Sequence, residues 1–368
     1  MKYYIIAGER SGDLHGGNLI QALKSIDTNS DVRCWGGDKM QKAGGDLVVH
    51  YKEMAYMGFW EVLKNYGKIS KKIQFCKKDL LDYKPDALIL IDYAGFNMRI
   101  AKFAKENNIA VHYYISPKIW AWNQKRAFNI KRNVDHMYVI LPFEKEFYKR
   151  FHFDVDYVGN PLLDAIRAFE PNPEFKYRNK EVIAVLPGSR EQEVLHMLAN
   201  LKEVTKKFPK EQFVIAGVNN LDSELYGNVE NEANIDILFE QTYDLLSHAK
   251  AAIVTSGTAT LETALFKVPQ VVVYKAGKIS FAIAKRVVKV KFISLVNLIM
   301  GKEVVKELIQ EDFTVEKIAN ELQMILPQGE KFKKQKTEYE ELRSILGSEN
   351  TSQNTAELII KNIQQDSL

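Results

Sequence analysis

Short unbroken apolar runs alternate along the chain with longer stretches in which apolar residues return every three or four positions. Tyr3–Ala7, Ala87–Ile91, Ala110–Ile115 and Met137–Leu141 are such runs in the first half. Val182–Leu186, Phe213–Ala216, Ala252–Val254 and Val271–Val273 repeat the pattern in the second. Runs of this kind, without polar alternation, suit strands buried on both faces of a parallel sheet. The periodic stretches between them, about Gly16–Lys24 and Ile100–Glu106 among them, read as covering helices. Strand and helix alternate in both halves, so the expected class is α/β with two Rossmann-like βαβ domains built on parallel sheets. Polar, proline-containing and aperiodic Glu170–Asn179 separates the halves. The expected domains are 1–168 and 169–345, with 346–368 a helical tail.

Composition narrows the function classes. A length of 368 residues fits two domains of ordinary size. The net charge of +4 is too weak to argue for nucleic acid and suits an anionic substrate or an anionic membrane surface. Two cysteines, Cys34 and Cys76, make no disulfide framework and point to a reducing compartment. The apolar run at the N-terminus is too short for a signal peptide, and no stretch approaches the roughly 18 apolar residues of a membrane span. Two segments, Met57–Lys78 and Lys278–Lys291, mix large apolar residues with lysines and read as basic amphipathic elements able to rest on anionic lipid. Helices packed on their own core with solvated lysines explain the same residues.

Five segments carry candidate chemistry. Between the first strand and the first helix, Ala7-Gly-Glu-Arg-Ser-Gly-Asp13 has small residues that let a ligand approach the backbone at a helix N-terminus, with Ser11 and Gly12 foremost. An ordinary turn with Asp13 as a cap reads equally well. Asp92 ends a buried strand in Ile91-Asp-Tyr-Ala-Gly-Phe-Asn97 and is a candidate general base, or else a cap. His112 opens His112-Tyr-Tyr-Ile-Ser-Pro-Lys-Ile-Trp-Ala-Trp122, whose tryptophans form either a stacking wall or plain core. In Leu186-Pro-Gly-Ser-Arg190, backbone donors at Gly188 and Ser189, a helix dipole and the Arg190 guanidinium fit a diphosphate without metal. Ser256-Gly257-Thr258 makes a second such turn, followed by Glu262 about one helical turn on, placed for ribose hydroxyls or for a capping box. Asp154-Val-Asp156 matches a metal–diphosphate spacing, but two residues suffice to match it, and an exposed strand is the better reading. The seven histidines show no zinc-type cluster.

Taken together the motifs resemble the lipid-A-disaccharide synthase family over nearly the full length. The matching pieces include Ala7–Asp13, Met57–Leu63, Ile91–Asn97, Ser116–Trp122, Leu141-Pro-Phe-Glu144, Leu186–Arg190, Ser256–Glu262 and Asn297-Leu-Ile-Met-Gly301. The resemblance implies the GT-B architecture, two Rossmann-like domains facing across a cleft. The first would take the acceptor and face the membrane, and the second would take the UDP-sugar donor. It implies an inverting glycosyltransferase that joins UDP-2,3-diacylglucosamine to 2,3-diacylglucosamine 1-phosphate (lipid X), giving the β-1,6-linked disaccharide phosphate and UDP. The family's base falls on Asp92, with His15 or His112 as further candidates for the proton. Its diphosphate arginine falls on Arg190, its acidic residue on Glu262 and its asparagine on Asn297. No cofactor, metal or nucleic acid is implied. The cytosolic surface of the inner membrane is the expected location, and a homodimer is left open. Two departures stand out. Ala94-Gly95 replaces a Pro-Asp common in the family, and Gly159-Asn160-Pro161 replaces Gly-His-Pro.

Rival readings remain on the same architecture. A UDP-N-acetylglucosamine 2-epimerase or a lipid-linked peptidoglycan glycosyltransferase would use similar turns. A nucleotide-binding scaffold without catalysis is the non-enzyme alternative, against which the presence of Asp92 and both phosphate turns speaks.

Overall fold

The computed structural model describes residues 1–54, 66–219, 221–227, 229, 232–277, 281, 288–347 and 349–366, with the Tyr66 side chain left aside. The chain divides into two compact units, Met1–Asp164 with Ser348–Leu368, and Ala165–Gly347.

The first unit is built on β1 (Lys2–Ala7), β2 (Asp31–Gly36), β3 (Asp46–His50), β4 (Ala87–Ile91), β5 (Ala110–Tyr114), β6 (His136–Val139) and β7 (Asp156–Tyr157). These pair in parallel in the order β3-β2-β1-β4-β5-β6-β7. Every residue of β4 is buried, and β1 is buried from Tyr3 to Ala7, because helices cover both faces. On one face the helix Arg10–Ile26 packs against the helix Thr351–Asp366. Ala356, Ile359, Ile360 and Ile363 form a helical stripe that joins Leu19, Ile20, Leu23, Tyr114 and Tyr138 in one core. The last helix therefore completes the first unit. Its start is capped by Asp164, whose carboxylate accepts from Ser352 N at 3.4 Å and from Asn350 N. Helices Tyr66–Tyr83, Ala94–Glu106 and Arg126–Asn133 pack in succession and lie on the other face, since the connection reverses direction at β1/β4.

The second unit repeats the plan with β8 (Val182–Leu186), β9 (Phe213–Gly217), β10 (Ile235–Phe239), β11 (Ala249–Thr255), β12 (Gln270–Tyr274) and β13 (Lys306–Ile309). They are parallel in the order β10-β9-β8-β11-β12-β13. Val194, Met197, Leu201 and Val204 of the helix Glu191–Lys206 share one core with Ile318 and Leu322 of the helix Val315–Ile325. Phe175, Tyr177 and Leu245 cover the opposite face. In both sheets the strand order reverses beside the first strand, at β1/β4 and at β8/β11. Such a switch point opens a crevice at the C-terminal strand ends, where α/β sheets bind ligands.

Every strand expected from the apolar runs is present; β4 and β8 have the expected bounds, β1, β9, β11 and β12 are longer, and β5 and β6 end one and two residues earlier. The runs did not disclose β2, β3, β7, β10 or β13, which carry charged residues and, β2 apart, form the sheet margins. In β2, for example, Arg33 leaves the sheet to pair with Asp79 at 2.8 Å and with Asp46. The helix expected from Gly16 begins at Arg10, so Ser11 and Gly12 are helical rather than part of a loop.

Candidate active site

At the β1/β4 switch point the backbone is held in an uncommon shape. Asp92 (φ 45°) and Tyr93 (φ 46°) both adopt the left-handed region, and so does Ile115 (φ 64°) at the end of β5. Left-handed backbone in non-glycine residues costs on the order of 1–3 kcal/mol each and persists only where the surroundings enforce it. Here the surroundings do. The amide of fully buried Asn97 donates to the carbonyls of Ile91 (3.2 Å) and Asp92 (2.9 Å), and the Tyr113 hydroxyl also donates to Asp92 O. Asp92 N donates to Tyr114 O (3.2 Å) and Ile115 N to Tyr138 O (3.0 Å). The Tyr93 ring lies over Gly8, where an added Cβ would stand 2.2 Å from the ring, and its hydroxyl reaches Met54 O at 2.9 Å. Gly8 is therefore the residue that lets β1 and β4 end this close together.

Asp92 is half-buried, and burial raises its carboxyl above the ordinary range, opposed by the charge of Lys118 and the Tyr93 N–H. Lys118 is a site residue that sequence reasoning passed over. It lies inside the Ser116–Trp122 segment, but nothing in the one-dimensional pattern aims it at Asp92. Ser11 is exposed in the first turn of the helix Arg10–Ile26, and Gly12 packs on Ala7, with an added Cβ 3.1 Å from Ala7 Cβ. Asp13 is buried and caps a different helix, Asp38–Lys42, accepting from Gly37 N (2.7 Å), Lys39 N (3.1 Å) and Met40 N (3.1 Å). His15 is half-buried with its Nδ1 unpartnered, and burial lowers its pKa to about 4, so it is the neutral form at pH 7.

His112 does not belong to this edge. It pairs with Ile89, three residues before Asp92, and is fully buried. Its ring stacks on His136 at 4.9 Å and its Nδ1 lies 2.8 Å from the Tyr138 hydroxyl. Burial and His136 lower its pKa to about 3. It is a fully buried core histidine, set back from the strand end that carries Asp92. Of the tryptophans, Trp120 is buried, whereas Trp122 is 45% exposed with the Arg126 guanidinium 5.6 Å over its ring. Asp154 and Asp156 are exposed at the start of β7, the sheet edge opposite Asp92. Asn160 caps the next helix, accepting from Leu162 N at 3.1 Å.

At the β8/β11 switch point two turns meet. Gly188 (φ 97°) lets the chain leave β8, and Arg190 is the N-cap of the helix Glu191–Lys206. The Arg190 side chain is 76% exposed and pairs with Glu193 at 2.7 Å. Glu193 folds back over Gly188, where an added Cβ would stand 2.4 Å from its Oε2. An exposed ion pair of this kind is worth little, so the guanidinium can exchange Glu193 for a ligand anion at small cost. Beside it, Ser256 donates to Ile293 O at 2.9 Å, and Gly257 and Thr258 are exposed at the start of the helix Thr258–Leu265. An added Cβ at Gly257 would meet nothing within 4 Å, which leaves open room above the helix N-terminus. The Glu262 carboxylate accepts from the Tyr243 hydroxyl at 3.1 Å, and burial raises its pKa.

Asn297 is elsewhere engaged. It is fully buried, and its amide donates to Val305 O (2.8 Å) and Glu307 Oε1 (2.9 Å) and accepts from Val304 N (2.7 Å) and Val305 N (3.0 Å). Two donors and two acceptor positions are the whole capacity of an amide side chain. Asn297 thus fastens the helix Leu295–Met300 to β13 and has no group left for a ligand.

Two Rossmann-like units of one topology, each with small-residue turns at its switch point, define the GT-B architecture of nucleotide-sugar enzymes. Solved structures share the fold. A UDP-GlcNAc 2-epimerase from Neisseria meningitidis bound to UDP-GlcNAc superposes with a TM-score of 0.68 at 14% identity, covering 99% of this chain and 100% of its own. A glycotransferase of kitacinnamycin gives 0.67 at 12% identity, covering 98% and 99%. At those identities the likeness shows the fold alone. The sequence goes further. The family model for lipid-A-disaccharide synthetase matches residues 3–363. Lipid-A-disaccharide synthases from Trichlorobacter lovleyi and Syntrophus aciditrophicus are 37% and 38% identical, each aligned over 98% of this chain and 97% of their own length. The chain belongs to the lipid-A-disaccharide synthetase family and is a glycosyltransferase of lipid A biosynthesis.

Proposed function

We propose that the chain condenses UDP-2,3-diacylglucosamine with 2,3-diacylglucosamine 1-phosphate by one in-line displacement with inversion, releasing UDP. The acceptor's 6-hydroxyl attacks the donor's anomeric carbon while the Asp92 carboxylate takes its proton, with neutral His15 the second candidate. Negative charge that develops on the departing diphosphate meets Arg190 and the helix N-termini behind Gly188 and Gly257, a metal-free arrangement. Glu262 is assigned to the ribose, reached by exchange of its Tyr243 hydrogen bond. The observation that carries the reading is Asp92 itself, a half-buried carboxylate clamped on a strained strand end at a switch point. Asp92→Ala should abolish all but a trace of disaccharide formation, read by mass spectrometry, with the unfolding profile unchanged. Wild-type kcat/KM should fall as pH drops through the raised Asp92 value, because the base must be ionised. Near-normal turnover by the alanine variant would refute the assignment.

The lipid substrates also call for a surface. No helix of the described residues is long and apolar enough to cross a membrane. On the helix Tyr66–Tyr83, Phe75 and Leu81 are exposed beside Lys68, Lys71 and Lys78, and on the helix Arg126–Asn133 exposed Phe128 stands beside Lys131 and Arg132. The two helices share one face of the first sheet, which supports peripheral contact with the anionic cytosolic leaflet of the inner membrane. Residues 57–65 of the first basic segment, and 278–280 and 282–287 of the second, lie outside the described residues. Anionic vesicles should co-sediment the chain, and equal binding to neutral vesicles would contradict this contact.

A further inference from the structure

The segment that leaves β5 brings Lys118 to Asp92, and it is held from beneath by one carboxyl group. Glu144, in the first turn of the helix Phe143–Lys149, is 1% exposed. Its Oε1 accepts from the Trp120 indole Nε1 at 3.2 Å and its Oε2 from Leu141 N at 3.0 Å. The Ser116 hydroxyl lies 3.1 Å from Pro117 O and 2.7 Å from the hydroxyl of Tyr148, on the same helix as Glu144. Trp120 meets Phe143 edge-on at 5.0 Å. Ser116 and Trp120 flank Lys118, so both sides of that residue are fastened to the same short helix, Ser116 at Tyr148 and Trp120 at Glu144. A buried carboxyl with only neutral donors is costly wherever its charge has no use. The reaction assigned above makes no use of Glu144 directly.

We propose that Glu144 is a positioning residue for glycosyl transfer: its carboxylate clamps the segment Ser116–Trp122 and so keeps Lys118 at Asp92. This rests on the reading of Asp92 as the base. Burial drives the Glu144 carboxyl up to about 7, opposed by hydrogen bonds from Leu141, Trp120, Ser116 and Ile140. The titratable groups that face it are Tyr148 on its own helix and Tyr157 on β7, both pushed above their ordinary value by burial and by Glu144. Both tyrosines stay neutral near pH 7, so Glu144 alone changes charge there. The charged carboxyl is the stronger acceptor for the indole N–H and the Leu141 N–H. The clamp therefore tightens as pH rises through neutrality and slackens below it.

The test uses the full chain, with disaccharide formation and the Trp120 indole N–H resonance both followed between about pH 6 and 9. In the wild type the indole resonance should titrate near neutrality, and kcat should fall on the acid side with the same midpoint. Glu144→Gln keeps the size and one acceptor but cannot ionise. It should flatten both curves and lower kcat about 10- to 100-fold, with the donor KM within about twofold of wild type. Trp120→Phe, which removes the N–H donor alone, should reproduce the loss of kcat and serves if the glutamine variant does not fold. A Glu144→Gln enzyme with the wild-type kcat and pH profile would overturn the proposal, as would an indole resonance that does not move with pH. A wild-type chain without turnover would instead sink the transferase reading, and the indole titration would still decide the clamp.

Discussion

Asn297 separates a ligand contact from a structural tie, and its replacement by alanine gives a quantitative contrast. The substitution leaves three groups without their Asn297 partner at once, Val304 N, Val305 N and Val305 O, while Glu307 Oε1 keeps its bond from Ser294 N. Each buried group so orphaned costs about 1–3 kcal/mol. With partial relief from entering water, the sum for Asn297→Ala is about 3–6 kcal/mol, a large share of the roughly 5–15 kcal/mol that holds a domain folded. The loss should fall on the second unit, because all three groups belong to the turn between the helix Leu295–Met300 and β13. Hydrogen exchange should show the amides of Val304 and Val305 losing protection, while titration calorimetry on the folded fraction finds UDP affinity within about twofold of wild type. A variant as stable as wild type, with UDP affinity reduced tenfold or more, would refute the argument and restore Asn297 as a ligand contact.

Three further outcomes follow from the same geometry. Gly8→Ala must move the Tyr93 ring, since the new Cβ stands 2.2 Å from it. It should lower kcat about 100-fold through the displaced Asp92 backbone with UDP affinity intact, and wild-type kcat would contradict it. Arg190→Ala should raise the barrier by about 2–4 kcal/mol without changing stability measurably, because the Arg190 side chain of its pair with Glu193 is exposed. Unaltered kcat/KM would remove Arg190 from the diphosphate site. The raised value of Glu144, about 7, makes a stabilising contribution that is complete below the unfolded value of 4.5 and is lost as pH rises to about 7. Glu144→Gln lacks that loss, so its stability relative to wild type should rise by about 3 kcal/mol between acid and mildly alkaline pH, and a pH-independent difference would contradict the buried-acid account.

The parts legible in the sequence share a physical cause. Strands buried on both faces must be apolar without alternation, so β1, β4, β5, β8 and β11 declare themselves as runs. The turns that follow them must be small for the chain to reverse beside a neighbouring strand, so the candidate phosphate turns and Asp92 were found where the strand order reverses. What stayed hidden depends on partners distant in the chain. His112 looks like a strand-end residue, but its place in the register with Ile89 puts it in mid-strand against His136 and Tyr138. Asn297 matches a family asparagine in type and spacing, yet its saturation by Val304, Val305 and Glu307 depends on the three-dimensional packing of β13. The C-terminal helix has the same periodicity whichever unit it joins, and only its contact with the helix Arg10–Ile26 shows that it completes the first. Lys118 and Glu144 lie in recognisable motifs, but their charges act across strands, which no pattern along the chain expresses.

If the chain transfers a diacylated sugar from UDP to a second acylated sugar, UDP release must depend on both substrates. UDP release from the purified protein should be measured with UDP-2,3-diacylglucosamine alone, with 2,3-diacylglucosamine 1-phosphate alone, and with both. UDP should appear only when both are present, in step with disaccharide. No UDP from the pair, or conversion of the UDP-sugar without an acceptor, would contradict it.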